Sequence, residues 1–371
     1  MIQSQKERQI GIDLLRIILA VMVVLLHINA GGTGKVLQYA NQTPWKYLVG
    51  LMTVLCYPAV NCYVMITGYF SWKNQLENRK ILKKLVALWM SLVFFSVFGY
   101  LAVCIIKQQE FEFLSFLKRL FPLIRGEWWF MSVYFALILI IPYINKIIQH
   151  ISMNQFHMLL IISSIITMVV PMINQWEDHL GVNYGYTLIW FFVLYISGAY
   201  ISKYEWNNRF SGKGKLFFSG YILLSVIIFI LPYLLRKFGI DLYLNPYNSV
   251  FTYCQAVLLF VLFCTVKQSN HPRLHRITYI TPYVMASYLF HCQEDIEPYL
   301  WKWLNPSLHA NNWLLIPIAI GITVGVITVS VLLEKGRRVL FGKVETKVIN
   351  RWIENKYISR ICIECDDQKK R

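Results

Sequence analysis

Apolar runs of about 20 residues, separated by short polar loops, recur along the whole chain. At about 1.5 Å of rise per residue, each run is long enough to cross a hydrocarbon core of about 30 Å as a helix. The pattern predicts membrane helices at 11–30, 47–70, 81–106, 127–148, 156–174, 187–204, 215–236, 247–266, 277–293 and 312–333. There is no internal repeat, no low-complexity stretch and no linker that separates a second unit. The expected fold is all-α, an integral membrane bundle of about ten transmembrane helices. Residues 1–333 form the transmembrane domain. Residues 334–371 form a basic tail, amphipathic enough between Val344 and Ile353 to lie along a membrane surface.

Composition agrees. Of 371 residues, 57% are apolar or aromatic and 15% are charged, with a mean hydropathy of +0.48. Soluble domains carry roughly 45–50% apolar and about 25% charged residues, so a water-soluble globule would leave too much apolar surface exposed. Soluble enzyme, fibrous protein and disordered regulator are excluded together. Lys6 and Arg8 precede an apolar run, as in a signal peptide, but the run is too long and carries an ionisable pair. It is read as a retained first helix.

The net charge of +17 raises the question of nucleic acid, and the placement of the charges answers it. With the N-terminus inside, the inner segments hold 26 basic residues: two before the first helix, five in 71–84, Lys146, four in 203–215, three in 267–276 and eleven in the tail. The outer segments hold nine. By the positive-inside rule both termini face the cytoplasm. The bilayer and anionic, phosphate-bearing substrates are the expected partners, with no nucleic acid. Lys107, Lys118, Arg119 and Arg125 in the third loop run against this count. The tail pair Cys362 and Cys365 is a lone C-x-x-C with no further ligands nearby, so no metal is expected.

Ionisable groups in hydrocarbon cost several kcal/mol and mark functional paths. The first helix carries Asp13, Arg16 and His27. Asp13 and Arg16, three apart, can pair. Arg16 and His27 are eleven apart, roughly 20° past three full turns, so they share a face about 16 Å apart along the axis. His291 ends the ninth predicted helix and Glu127 begins the fourth, both at the outer level of His27. These three would suit proton transfer at one site. Arg79, Lys80, Lys83 and Lys84 open the third helix at the level of Arg16. They follow from the positive-inside rule alone, or form a basic cradle for donor phosphates. The chain has no G-x-x-x-x-G-K-[ST], no G-x-G-x-x-G and no G-x-S-x-G, which removes support for ATP hydrolysis, dinucleotide redox and esterase chemistry.

Four segments carry a resemblance. Arg16 and His27 fit R-x10-H. Val64-Met65-Ile66-Thr67-Gly68-Tyr69-Phe70 resembles an F-x-x-S-G-Y/F segment, with Thr67 for serine. Trp128-Trp129-Phe130 followed by Pro142-Tyr143-Ile144-Asn145-Lys146 resembles W-F…P-x-x-N-K, and Ser287-Tyr288-Leu289-Phe290-His291 resembles S-x-Y-L-I-H. Together, over about residues 10 to 333, they resemble the membrane-bound acyltransferase 3 family, of the type that O-acetylates surface polysaccharides. The resemblance implies a bacterial inner membrane location, with acetyl-CoA or another acyl-CoA as cytoplasmic donor. The acceptor it implies is a sugar hydroxyl of a cell-surface or lipid-linked glycan.

The resemblance also implies that Arg16 binds the donor and that His27 is the catalytic histidine. The basic start of the third helix matches an arginine-rich stretch of the family, with lysine at three of its four positions, and lysine lacks the bidentate fork. Glu127 stands where many relatives have histidine near the W-F pair. The expected mechanism has His27 as general base on the acceptor hydroxyl, with His291 orienting the acceptor or sharing the proton. The main alternative is a carrier or flippase for an amphipathic or lipid-linked molecule. The lack of paired, broken short helices in two similar halves counts against it. A scaffold or sensor is disfavoured by the number of buried ionisable groups.

Overall fold

The computed structural model describes residues 9–29, 34–74, 78–174, 179–240, 243–266 and 272–354. Among them every regular element is helical, as expected where backbone N–H and C=O groups have no water to bond and must pair within their own segment. In chain order, the bundle contains α1 (Ile10–Asn29), α2 (Trp45–Cys56), α3 (Ala59–Ser71), α4 (Asn78–Lys107) and α5 (Trp129–His150). There follow α6 (Met153–Ile173, with Ile165–Val169 wound as a π-helix), α7 (Leu188–Lys203), α8 (Gly214–Arg236), α9 (Val250–Cys264), α10 (Met285–His291) and α11 (Leu315–Glu354).

Seven spans among the described residues are long and apolar enough to cross a membrane, counting α2 and α3 as one bent span. The chain is thus a multi-pass helical membrane protein. Two more expected segments are the shorter apolar helices α7 and α9. α7 is buried on every side, including Trp190, Phe191, Leu194, Tyr195 and Ala199, so protein rather than lipid surrounds it and full bilayer length is not demanded of it.

The expected helix at 277–293 is not one helix. Pro272–Thr278, a 3-10 turn at Thr281–Tyr283 and α10 share that stretch. Pro282 lacks an N–H and its ring clashes with the preceding turn, so the α-helix cannot run through it. The last helix departs from expectation in the other direction. α11 continues without a break past 333 to Glu354, so the first part of the expected tail, with the amphipathic stretch from Val344, prolongs a membrane helix. Cys362 and Cys365 lie outside the described residues.

The bend between α2 and α3 follows from Pro58. Its missing N–H leaves the Val54 carbonyl without its helical donor, and Gln255 Nε2 donates to that carbonyl instead at 3.1 Å. The neighbouring Leu55 carbonyl accepts from the Tyr221 hydroxyl at 2.5 Å. Helices α8 and α9 thereby hold the bend open. Below it, α3 packs on α7 at very close range. A Cβ on Gly68 would fall 1.9 Å from the Tyr195 carbonyl oxygen, and one on Gly198 would fall 2.0 Å from that of Met65. Small residues facing each other let two backbones touch, which is how helices associate where lipid removes the hydrophobic drive. Gly68 of the second motif therefore has a packing cause.

Asn145 of the third motif has one too. Its Nδ2 donates to the Ser71 and Asn74 carbonyls at 2.8 and 3.1 Å, and its Oδ1 accepts from Tyr195 at 2.6 Å. It caps the carbonyl end of α3, where four C=O groups lack helical partners. Gly68→Ala and Gly198→Ala should each destabilise the protein by about 1–3 kcal/mol through overpacking. Gly325→Ala, where an added Cβ meets nothing within 4 Å, should be silent; thermal midpoints of the detergent-solubilised variants check both statements.

Candidate active site

Helix α1 carries both ends of the site. At its start, Arg16 Nη1 pairs with the buried Asp13 at 3.1 Å, and its guanidinium lies 5.5 Å from the centre of the Phe70 ring. The Arg16 side chain keeps 34% of its surface exposed. It lines two cavities. One, of about 660 Å³, is walled also by Lys73, Asn74, Glu205, Asn207 and Asn208. The other, of about 470 Å³, runs inward past Tyr63, Thr67, Phe130, Tyr134 and Met285.

Three turns further along α1, His27 lines a third cavity of about 230 Å³. This one shares Tyr63, Phe130, Val284 and Met285 with the inward cavity of Arg16. The cation and the imidazole thus face adjoining chambers whose common wall is four side chains. Tyr63 is anchored there by its hydroxyl, which donates to the Arg16 carbonyl at 3.0 Å.

The histidines predicted from sequence come together. The His27 and His291 rings meet edge to face with centroids 4.8 Å apart. α1 and α10 run in the same direction, for Thr281 lies against the Asp13 carbonyl as His291 lies against His27. His27 Nδ1 lies 2.8 Å from the Val23 carbonyl, and His291 Nδ1 bonds the Ser287 carbonyl. A carbonyl only accepts, so each Nδ1 carries the proton and each Nε2 is left with a lone pair; the tautomers are inferred from these partners. His291 is fully buried, and its Nε2 has no hydrogen-bond partner among the described residues. His27, which lines the cavity, can accept a proton from a hydroxyl there, with His291 packed behind it outside the lining.

Cys292 extends this group, since its Sγ and one nitrogen of each histidine lie within 4.8 Å of one another. Two zinc bonds of about 2.3 Å reach less far than that, so one ion would have to draw the side chains inward.

Glu127 stands at the level of the histidines but is bound elsewhere. Its carboxylate accepts from Ser96 Oγ and from Gln293 Nε2 at 2.9 Å, and Arg125 Nη1 lies 3.7 Å away. Gln293 is two residues beyond His291, so Glu127 holds the end of α10 in place. The same cluster explains the basic third loop. Arg119 pairs with Glu294 at 2.9 Å and Asp295 at 2.5 Å, and Arg125 also pairs with Glu294. The dissenting arginines are matched by acids that follow α10.

At the start of α4, Lys84 Nζ lies 5.6 Å from the centre of the Tyr134 ring, which is in the wall of the inward cavity. Lys80, Lys83 and Lys84 are all exposed, only Tyr134 and not Lys84 lines that cavity, and the side chain of Arg79 lies outside the described residues. Sequence reasoning missed Lys73 as a wall residue beside Arg16. It also missed Tyr57, Tyr186 and Tyr247, which with Trp129 and Tyr288 of the motif segments form an aromatic shell around His27. Trp129 packs on Tyr186 at 4.4 Å and lies near-parallel to Tyr247 at 5.9 Å. Tyr186 and Tyr247 come from loops, which meet because Gly185 (φ +93°) has no Cβ to strike Tyr247 and Trp190. Loop tyrosines leave no periodic signal.

A family model described as an acyltransferase domain matches residues 9–335. The chain belongs to the acyltransferase 3 family. The matched stretch takes in Arg16, His27 and His291, and supports membrane acyltransferase activity in general. Searches of curated proteins and of solved structures find no match.

Burial pushes the Glu127 carboxyl up, and the hydrogen bonds from Ser96 and Gln293 and the charge of Arg125 only partly oppose it. The folded chain then holds that proton more tightly than the unfolded one. Stability therefore falls as pH rises from the ordinary glutamate value of about 4.3 to the raised folded value. Glu127→Gln keeps an oxygen to accept from Gln293, with its amide nitrogen donating to a turned Ser96 hydroxyl. It should flatten that slope while leaving acyl transfer within about threefold, for about 1.4 kcal/mol separates each tenfold step. Loss of transfer by a well-folded Glu127→Gln would instead make Glu127 catalytic. Thermal unfolding against pH, with a transfer assay, reads both.

Proposed function

We propose that this chain moves an acetyl or other acyl group from acyl-CoA to a sugar hydroxyl of a cell-surface or lipid-linked glycan. The reading places the chain in a bacterial inner membrane with both termini cytoplasmic, supported by the 26 to nine split of basic residues. One observation carries it: Arg16 and His27 stand on one face of α1 and open into adjoining cavities that share Tyr63, Phe130, Val284 and Met285.

The donor's phosphates lie in the wide chamber beside Arg16 and Lys73, with Lys84 at the edge of the next one. Arg16 spends one guanidinium nitrogen on Asp13 and keeps a planar fork for phosphate. The thin pantetheine arm passes the Tyr63–Phe130 wall and presents its thioester near His27, across the roughly 16 Å that eleven helical residues span. The acceptor hydroxyl approaches from the aromatic side.

His27 Nε2 then removes the hydroxyl proton as the oxygen attacks the thioester carbonyl carbon. The new carbon–oxygen bond forms and the carbon–sulfur bond breaks. The leaving thiolate recovers the proton from His27, so the site returns to its starting state. His291, with its own Nδ1 held by Ser287, presents a second lone pair that steadies the hydroxyl or the shared proton. Burial of His291 and the narrow cavity at half-buried His27 limit hydrolysis by water.

His27→Ala should abolish transfer, by at least about a thousandfold given the 10²–10⁴ that a positioned base supplies, while the protein stays folded and inserted. Near-normal transfer by that variant ends the proposal. Arg16→Ala should raise KM for acyl-CoA about tenfold or more, about 1.4 kcal/mol of lost donor binding. Mass spectrometry of extracted glycans, with and without the gene, reads the reaction in cells. A carrier would change the amount of glycan exported and leave its O-acetyl content per sugar unchanged.

A further inference from the structure

The chamber at His27 has a wall chemistry of its own. Among the described residues fifteen line it, and none of these is aspartate, glutamate, lysine or arginine. Tyr57, Tyr63, Tyr186, Tyr247 and Tyr288 present phenols, and Trp129 presents an indole. The remaining wall is aliphatic apart from His27, Phe130 and Ser287. The nearby cations stand elsewhere: Arg119 and Arg125 pair with Glu294, Asp295 and Glu127, and Arg16 lines the neighbouring chambers rather than this one.

From this we infer that the sugar ring acetylated here is a neutral hexopyranose unit, held by stacking on Trp129, and that carboxylated or phosphorylated units are rejected. The inference rests on the acyltransferase reading above and adds the class of acceptor to it.

The physical reasons are three. A pyranose ring has an apolar face of C–H bonds and a rim of hydroxyls. Trp129, held against Tyr186 at 4.4 Å and near-parallel to Tyr247 at 5.9 Å, gives the cavity a fixed aromatic wall for that face. The phenols can accept from the rim hydroxyls even where, as in Tyr63, their own proton goes to a backbone carbonyl. The cavity volume of about 230 Å³ equals that of about eight waters at about 30 Å³ each, which suits one sugar ring rather than two. A carboxylate or phosphate brought into this wall would lose its water without gaining a cation, the costliest way to bury a charge. The site thus selects by leaving out a partner as much as by supplying a platform.

Trp129 is a binding residue for the acceptor in this account. Its position follows from the start of α5, where Trp128 is buried and Trp129 turns into the cavity.

The test uses the full-length protein in nanodiscs with acetyl-CoA and matched pairs of methyl glycosides: glucoside with glucuronide, and galactoside with galacturonide. Acetylated products are counted by mass spectrometry. Neutral members should be acetylated at least tenfold faster than their uronides. Trp129→Ala should raise KM for the neutral glycoside at least tenfold with KM for acetyl-CoA unchanged, and Trp129→Tyr should restore most of the loss, which a merely structural tryptophan would not produce. Equal or faster acetylation of the uronides overturns the neutral-acceptor inference while leaving the acyltransferase reading standing. So does an unchanged acceptor KM in Trp129→Ala. Acetylation of no glycoside, by protein that still binds acetyl-CoA, overturns the inference together with the sugar-acceptor reading.

Discussion

In hydrocarbon an unpaired backbone carbonyl has no water to turn to, and that constraint shapes this molecule at the places where its helices break. Pro58 interrupts one span and Pro282 another, and residues on either side of both breaks line the cavities: Tyr57, Val60 and Tyr63 at the first, Val284 and Met285 at the second. At each break side chains from other helices bond carbonyls that flank it. Gln255 and Tyr221 serve Val54 and Leu55. At the second break, Arg338 Nη2 donates to the Pro282 carbonyl at 2.9 Å, while its Nε pairs with Glu334 at 2.7 Å. The long last helix is thus part of what keeps the site open, which gives a physical reason for its continuing past residue 333.

The two ends of α1 receive opposite treatment. Arg16 keeps a third of its side-chain surface exposed and lines two wide chambers. His27 and His291 are tied to carbonyls one turn back on their own helices, which fixes ring orientation and leaves one nitrogen each for chemistry. In the proposed reaction this division separates phosphate binding from proton transfer by the reach of the donor's arm. The narrow wall between the chambers then decides what passes.

Charge outside the bundle core is arranged by pairing. Arg119, Arg125, Glu127, Glu294 and Asp295 bind the loop before α5 to the turn after α10, so the helix ending in His291 is clamped immediately beyond the histidine.

Helix positions followed from the sequence alone, because apolar runs of bilayer length are a local property. Among the described residues eight of the ten expected segments are single helical runs, Pro58 bends another, and the ninth in order is broken around Pro282; the breaking effect of proline is local as well. The alignment of Arg16 with His27 was legible for the same reason, since helical periodicity is fixed. Equal depth brought His291 and Glu127 to one level but could not say which would meet His27. Tertiary packing decided that: the parallel approach of α1 and α10 joined the two histidines, and Ser96, Gln293 and Arg125 took Glu127. It also decided the walls of the cavities, where Tyr186 and Tyr247 arrive from loops and Lys73 from the end of α3. Side chains that converge from separate elements carry no spacing rule along the chain, and only the folded backbone, through contacts such as Gly68 against Tyr195, brings them to one place.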